Sequence, residues 1–519
     1  MVKLEIRKNA YYDSVTLMLI SNEVKKLEGV KEALVGMGTD LNCEIAHNIG
    51  LATPEFTDVT ANDLFVAVEC KDELIFELVR KKVEELLNKK SEAREADYYT
   101  PTLDGAIKLD PDINMAVISV PGKYAADVAE SCLDKDINVM LFSDNVTIEE
   151  ERTLKEYAYQ KGLLVMGPDC GTAIINHVPL AFANVVRSGD IGIVAASGTG
   201  TQEVSSIIDQ LGGGVSQVIG TGGRDLKKEI GGLMMKLGLS ALTKDPQTRV
   251  ITLISKPPAK EIASLILTQA SEAKKPVVVC FIGGDREEIE AFGLTAAISL
   301  EDAAKKAVAL SRGEPVSDYR DFTMGSEAAL KLAKEEANQM SRSQKYVRGF
   351  YTGGTLCDEA MKLMLPKLKH IYSNIPLQPE DKLKDARNGK SCQHTFLDFG
   401  DDEFTVGRPH PMIDPSLRAE RVRSEGRDPE CAIIMVDCVI GYGSHEDPAK
   451  DLSEAIIRAK ESAGAEGRHL LVIAEVCGTE GDPQCLSKTR KQLEEAGALV
   501  FPSNAQATRF AELVLDNMQ

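Results

Sequence analysis

Apolar positions along this chain switch repeatedly between two periods, one of two residues and one near three and a half. Over residues 1–93, short alternating strands (Val2–Ile6, Ala33–Gly36, Asp63–Val68) are interleaved with helical repeats (Ser14–Leu27, Cys43–Ile49, Lys71–Asn88). That order predicts a small α+β sandwich of ferredoxin-like type. The charged, turn-prone stretch from Lys89 to about Gly105 reads as a linker. Beyond it come strand Met115–Val120, helix Ala125–Leu133, strand Asn138–Phe142, helix Ile148–Lys161 and strand Leu163–Met166. This βαβαβ rhythm predicts a parallel, Rossmann-like sheet within residues 106–185.

From there the pattern repeats itself. Strand Ile191–Ala196 runs into Ser197-Gly198-Thr199-Gly200 and a helix; strand Val347–Tyr351 runs into Thr352-Gly353-Gly354-Thr355 and a helix, 155 residues later. Each loop is followed by a Gly-rich acidic turn, Gly220 to Asp225 in one case and Phe399 to Asp402 in the other. Two further strands then end in polar residues: Val250–Ser255 before Lys256 and a strand before Gly283-Gly284-Asp285, against Ala432–Val436 before Asp437 and Leu470–Ala474 before Glu475. Two related α/β domains, 186–312 and 345–519, are the simplest explanation. A second linker, about 313–344, holds a charged helix, Glu327–Ala337.

Loops of this kind suit anions. Glycine lets backbone N–H groups turn inward, and the unpaired N–H groups at a helix start, with the positive end of its dipole, attract phosphate or carboxylate. Ser197, Thr199, Thr352 and Thr355 are equally the residue types that cap helices for purely structural reasons. A third loop, Gly167-Pro168-Asp169-Cys170, stands at the carboxyl end of a parallel strand, where ligand crevices form; its plain reading is a tight turn with Cys170 as packing.

Composition narrows the setting. The chain has 519 residues, 43% of them hydrophobic, and no run approaches the roughly 18 apolar residues needed to cross a bilayer. Met1-Val2-Lys3-Leu4-Glu5 opens directly into a strand pattern, so a cytoplasmic protein without membrane association is expected. A net charge of −20 argues against binding nucleic acid but leaves small anions open. The eleven cysteines, including the pairs Cys431/Cys438 and Cys477/Cys485, fit no zinc spacing and read as buried thiols.

The stretch Leu163 to Gly171, with Gly192-Ile193-Val194 leading into Ser197-Gly198-Thr199, resembles the α subunit of succinyl-CoA synthetase. Phe396 to Gly400 and the last repeat resemble the carboxyl-terminal domain of its β subunit. Within that superfamily the whole chain is most similar to the FdrA family, through Ser143 to Thr147, Leu180 to Val185 and Val406 to Pro415. The resemblance implies an α/β chain of several Rossmann/flavodoxin-like domains, a CoA-binding-type domain at 106–185, and a phosphate shared by the helix starts near Gly198 and Gly354. It also implies a subunit of oxamate carbamoyltransferase in allantoin breakdown, exchanging oxalurate and phosphate for oxamate and carbamoyl phosphate beside other subunits.

Three departures set the chain apart from the acyl-CoA synthetases. Gly283-Gly284-Asp285-Arg286 stands where the phosphate-carrying histidine belongs, and no histidine occurs between His177 and His370. The Gly-rich loop that opens their CoA domain and the ATP-grasp domain are missing. CoA and ATP are therefore not expected and no cofactor is required; magnesium on Asp398, Asp401, Asp402 or Asp437 is an option, although turns favour aspartate anyway. Arg224 or Arg408 can hold the carboxylate of a small carboxylic amide. His410, between two prolines, is an acid/base or a hydrogen-bond donor, or a brace for its loop. Glu475, at a strand end, is an acid/base or an arginine partner. The alternatives are an NDP-forming acyl-CoA synthetase and a non-catalytic, anion-sensing assembly subunit.

Overall fold

The computed structural model describes every residue except 9, 11, 13, 61, 95–101, 407 and 519. The chain forms two compact units, Met1–Pro111 with Thr405–Pro409, and Asp112–Phe404 with His410–Gln519.

In the first unit β1 (Val2–Arg7), α1 (Ser14–Lys25), β2 (Val30–Met37), α2 (Asp40–Asn48), β3 (Leu64–Cys70), α3 (Glu73–Arg94) and α4 (Leu103–Leu109) follow in order. The strands form an antiparallel sheet, β1-β3-β2, with β3 buried in the middle. Leu17, Val24, Val79 and Val83 of α1 and α3 join its core. Among the described residues this unit has three strands, one short of a complete ferredoxin-like sheet. The expected linker from Lys89 to Gly105 is partly helix, because α3 runs on to Arg94 and α4 starts at Leu103, capped by Thr102; residues 95–101 lie outside the described residues.

The second unit opens with β4 (Met115–Ile118), α5 (Gly122–Asp134), β5 (Asn138–Leu141), α6 (Ile148–Lys161) and β6 (Val165–Met166), a parallel sheet in the order β4-β5-β6. A capping box of Thr147 and Glu150 starts α6, and left-handed Gly162 stops it. The next two strands, β7 (Thr172–Ile175) and β8 (Val178–Ala181), fall inside the 106–185 segment, yet β7 pairs antiparallel with a strand of the following sheet.

That sheet comprises β9 (Ser188–Ala195), β10 (Val215–Gly220), β11 (Val250–Ser255), β12 (Val277–Phe281) and β13 (Thr295–Ala296), alternating with α7 (Gly198–Gln210), α8 (Leu233–Lys244), α9 (Lys260–Ser271), α10 (Arg286–Ala291) and α11 (Leu300–Arg312). Its order is β13-β12-β11-β9-β10-β7-β8. Helix α12 (Ser326–Gln339) follows, and the segment expected as a linker is docked: Ala329, Ala333 and Ala337, one face of the helix, are buried in the core.

The last sheet has β14 (Tyr346–Tyr351), β15 (Tyr372–Ser373), β16 (Thr395–Asp398), β17 (Cys431–Val439), β18 (Leu471–Cys477) and β19 (Leu499–Phe501), with α13 (Gly354–Leu368), α14 (Asp402–Thr405), α15 (Ser416–Glu425), α16 (Pro448–Ala465), α17 (Leu486–Glu495) and α18 (Asn504–Asn517). Its order is β15-β16-β14-β17-β18-β19, and without the edge strand β15 it follows the parallel part of the preceding sheet, β16-β14-β17-β18-β19 against β10-β9-β11-β12-β13. Both are doubly wound, the order reversing between β9 and β11 in one and between β14 and β17 in the other, so each has its ligand crevice at the carboxyl end of its first strand.

Burial on both faces explains the continuous apolar runs of these strands. In β9, Ile191, Ile193 and Ala195 face α7 and α11, while Val194 faces α8. In the later repeat, Val347 and Tyr351 share the core of α7 and α11, and Phe350 faces away. One hydrophobic core therefore spans the two repeats, and it sets α7 against α13.

Candidate functional site

The two glycine loops meet. Chain leaving β9 turns at Ser197, whose Oγ accepts the Gly200 N–H at 3.1 Å and caps α7. The same oxygen lies 2.7 Å from Thr355 Oγ1, on the first turn of α13. A methyl group on Gly353 would stand 2.7 Å from Thr199 Oγ1, and one on Gly200 would stand 2.9 Å from Thr355 Cγ2. The helix starts are therefore in van der Waals contact, and glycine is what lets them approach. Among the described residues, the N–H groups of Gly198, Thr199, Gly354 and Thr355 find no protein acceptor. Two dipole ends and four free donors lie together, an arrangement that favours negative charge.

The loops are not equivalent in what fills them. Thr352 N–H donates to both Asp437 oxygens at 2.8 and 3.0 Å, its hydroxyl donates at 2.9 Å, and the Gly353 N–H donates at 2.9 Å. Arg418 pairs with the same carboxylate at 2.6 Å, and both side chains are buried. Burial pushes the Asp437 carboxyl up, opposed by Arg418 and the loop donors. The outer half of the second loop thus holds the chain's own carboxylate, while the first loop is open. Asp437 is thus paired with an arginine, and the described residues contain no group of three or more His, Cys, Asp or Glu that could hold a metal ion.

Three further side chains border the helix starts. Lys256 follows β11 at the first sheet's crevice, and its charge acts on Asp398 and Cys357. Asp398 ends β16; its Oδ1 accepts the Gly400 N–H at 2.8 Å, and its Oδ2 fills the space a side chain at Gly354 would need. Burial raises this carboxyl to about 7. His410 accepts the Met412 N–H on Nδ1 at 3.2 Å, so the proton sits on Nε2, which lies 2.7 Å from where Gly400 would carry a methyl group. Burial lowers this imidazole to about 4 and keeps it neutral at physiological pH. Its ring also packs on Phe182, centroids 5.6 Å apart. His410 therefore presents an N–H donor beside the second loop.

The remaining candidates distribute differently. The end of the Gly167–Cys170 loop borders the first helix start, since a methyl group on Gly198 would meet the Gly171 Cα and Thr172 Oγ1 at 3.9 and 3.8 Å. Cys170 is packing: it is buried against Gly220, and burial pushes its thiol up to about 12. Pro168 and Gly167 lie under Gly222, and Asp169 is exposed with φ 55°. Arg224 is committed to Glu151 at 2.8 Å and the Val146 carbonyl at 2.8 Å. Arg408 belongs to the other compact unit, its N–H bonded to the Thr405 carbonyl at 2.9 Å. Glu475 does not end its strand. It lies inside β18, fully buried opposite Asp437, and neither carboxylate oxygen has a hydrogen-bond partner among the described residues. Burial and the neighbouring Glu203 push it well above the usual carboxylate range.

Two residues that the sequence reading passed over tie the repeats together. Glu359 of α13 accepts the Leu300 N–H that opens α11, at 2.7 Å; Glu203 of α7 accepts the Asn504 N–H that opens α18, at 3.1 Å. Asn504 closes the exchange by donating to Glu359 at 2.7 Å. Each glutamate sits five residues past its helix start, a correspondence readable in sequence once the two starts are aligned.

Comparison with known proteins follows the same division. Residues 350–514 match the CoA-ligase family model, residues 186–284 the CoA binding domain, and residues 1–101 the AllF, heavy metal-associated domain. The uncharacterized protein YahF of Escherichia coli (strain K12) is 47% identical over 503 residues, covering 97% of this chain and 96% of that protein. The chain belongs to the YahF family. The α subunit of ADP-forming succinate–CoA ligase from Methanothermobacter thermautotrophicus is 31% identical over 179 residues; these make up 33% of this chain and 58% of that subunit. Among solved structures, apo dinucleotide-forming acetyl-coenzyme A synthetase 1 from Ca. Korarchaeum cryptofilum aligns over 81% of this chain and 88% of that one, at 16% identity and TM-score 0.33. By the family-model and succinate–CoA ligase matches, the architecture is succinyl-CoA-synthetase-like, with segments similar to CoA-binding and CoA-ligase domains behind an AllF-type amino-terminal domain. The CoA-binding match falls on the segment carrying the first glycine loop, one domain later than the 106–185 placement.

Proposed function

We propose that this chain is an acyl-transfer subunit that seats the phosphate of an acyl phosphate between the starts of α7 and α13. The meeting of the two helix starts, with free N–H groups at Gly198, Thr199, Gly354 and Thr355, carries the reading. Such a cradle offsets charge on a departing phosphate, and Lys256 and the His410 Nε2–H add donors at its edge. With Gly283-Gly284-Asp285 in place of a phosphate-carrying histidine, and Asp285 engaged in capping α10, the acyl group passes directly to or from phosphate.

The carbamoyl reading of that acyl group rests on two supports. The AllF-type amino-terminal domain supports a place in allantoin breakdown, and the FdrA resemblance supports exchange of oxamate and carbamoyl phosphate for oxalurate and phosphate, with other subunits completing the enzyme. A second reading, an acyl-CoA ligase, is favoured in kind by the CoA-binding and CoA-ligase matches.

The two separate in one assay. Protein alone and with candidate partner subunits is supplied with oxamate and carbamoyl phosphate while oxalurate is followed, and in parallel with ATP, CoA and short carboxylic acids while nucleotide cleavage is followed. Oxalurate formation is expected. CoA-dependent ATP cleavage without oxalurate would establish the ligase instead.

A further inference from the structure

The proposed anion site contains one feature that ordinary phosphate cradles lack, a carboxyl group on its floor. Asp398 is 7% exposed, its Oδ1 is held by the Gly400 N–H, and its Oδ2 has no hydrogen-bond partner among the described residues. That free oxygen points at Gly354, whose N–H is one of the four open donors. A carboxylate there would repel a bound anion; a carboxylic acid would donate to it.

Resting on the anion-site reading, we infer that Asp398 is a substrate-contacting residue that takes up a proton when an anion binds and donates it as a hydrogen bond to an anion oxygen. The groups facing it agree. Lys256 is the one cation among the charges acting on it, and it is exposed and engaged in no ion pair among the described residues. Asp401 and Asp437 are like charges, the second neutralised by Arg418. Cys357 and Tyr351, buried on α13 and β14, have burial-raised pKa values and stay neutral, as does His410, while Asp358 pairs with Lys362 at 2.7 Å. No arginine pairs with Asp398, and burial already raises its carboxyl to about 7 before any anion arrives. A bound dianion raises it further.

Sulfate is the probe, because its charge is constant where phosphate titrates. Calorimetric titration of the full chain should show sulfate binding roughly 30-fold weaker at about pH 8.5 than at about pH 6, for a group of pKa near 7 that must be protonated. Repeating the titration near pH 8 in buffers of different ionisation heat should count close to one proton taken up per sulfate, a readout on unaltered protein. Asp398→Asn, which keeps an acceptor for the Gly400 N–H, should bind sulfate with a flat pH profile and no proton uptake. Sulfate binding that is independent of pH, without proton uptake, overturns the role of Asp398 and leaves the anion site standing. Absence of sulfate binding at every pH overturns the anion site itself.

Discussion

The two glycine loops share a sheet order, a strand-to-helix turn and a place at the crevice of a doubly wound sheet, yet they reach opposite solutions. Around Ser197 the helix start is capped by its own hydroxyl, and its first N–H groups are left open. Around Thr352 the outer donors close on Asp437, held in turn by Arg418. A buried carboxylate with that many partners is already an anion bound to a loop. The outer half of the second loop therefore acts as a preformed wall, while the Gly354 and Thr355 N–H groups behind it stay unspent beside those of Gly198 and Thr199. Repetition in the sequence concealed a division of labour.

Removing the internal anion's support should have the largest effect. Arg418→Ala leaves Asp437 buried without its cation, and a loss of about 3–5 kcal/mol is expected in denaturant unfolding. A loss under about 1 kcal/mol would mean that the pair does not hold the second loop. Next, alanine placed at each helix start reads the difference in space. Gly354→Ala collides with Asp398 and should cost about 1–3 kcal/mol, whereas Gly198→Ala meets only ordinary contacts and should be near neutral. Equal costs would erase the asymmetry.

The exchanged glutamates test whether the repeats act as one body. Burial raises Glu203 to about 8 and Glu359 to about 7, so the folded chain holds protons that the unfolded chain has released. The stability this provides is complete below the unfolded value near 4.5 and is lost as pH rises toward 8. Glu203→Gln keeps the cap on Asn504 without the charge. It should match the parent near pH 4.5 and melt higher near pH 8; parallel melting curves across that range would contradict it. A small loss is expected of Ser197→Ala, which removes the α7 cap and the Thr355 contact for about 1 kcal/mol in denaturant unfolding.

The succession of strands and helices and the paired loops were legible in the sequence because both are local: apolar runs of strand length, glycines at the turns, and helical spacing behind them. What was not legible depends on partners far along the chain. Asp437 lies 85 residues from Thr352, and nothing near either residue announces that they bond. Glu475 looked like a strand end because a charge interrupts the apolar run, yet β18 continues through it to Cys477 and the carboxyl is buried. The β7–β8 hairpin, inside the 106–185 segment, was not legible, because antiparallel pairing with a strand of the following sheet leaves no mark in periodicity. Alanines gave α12 too faint an apolar stripe, though their small size is what lets the helix dock.

The central claim is that one anion is held by both helix starts. A crystal structure of the full chain soaked in phosphate addresses it directly. The phosphate is expected within hydrogen-bond distance of the N–H groups of Gly198 or Thr199 and also of Gly354 or Thr355. A phosphate bound by one loop alone, or none at either loop with phosphate at millimolar concentration, would contradict it.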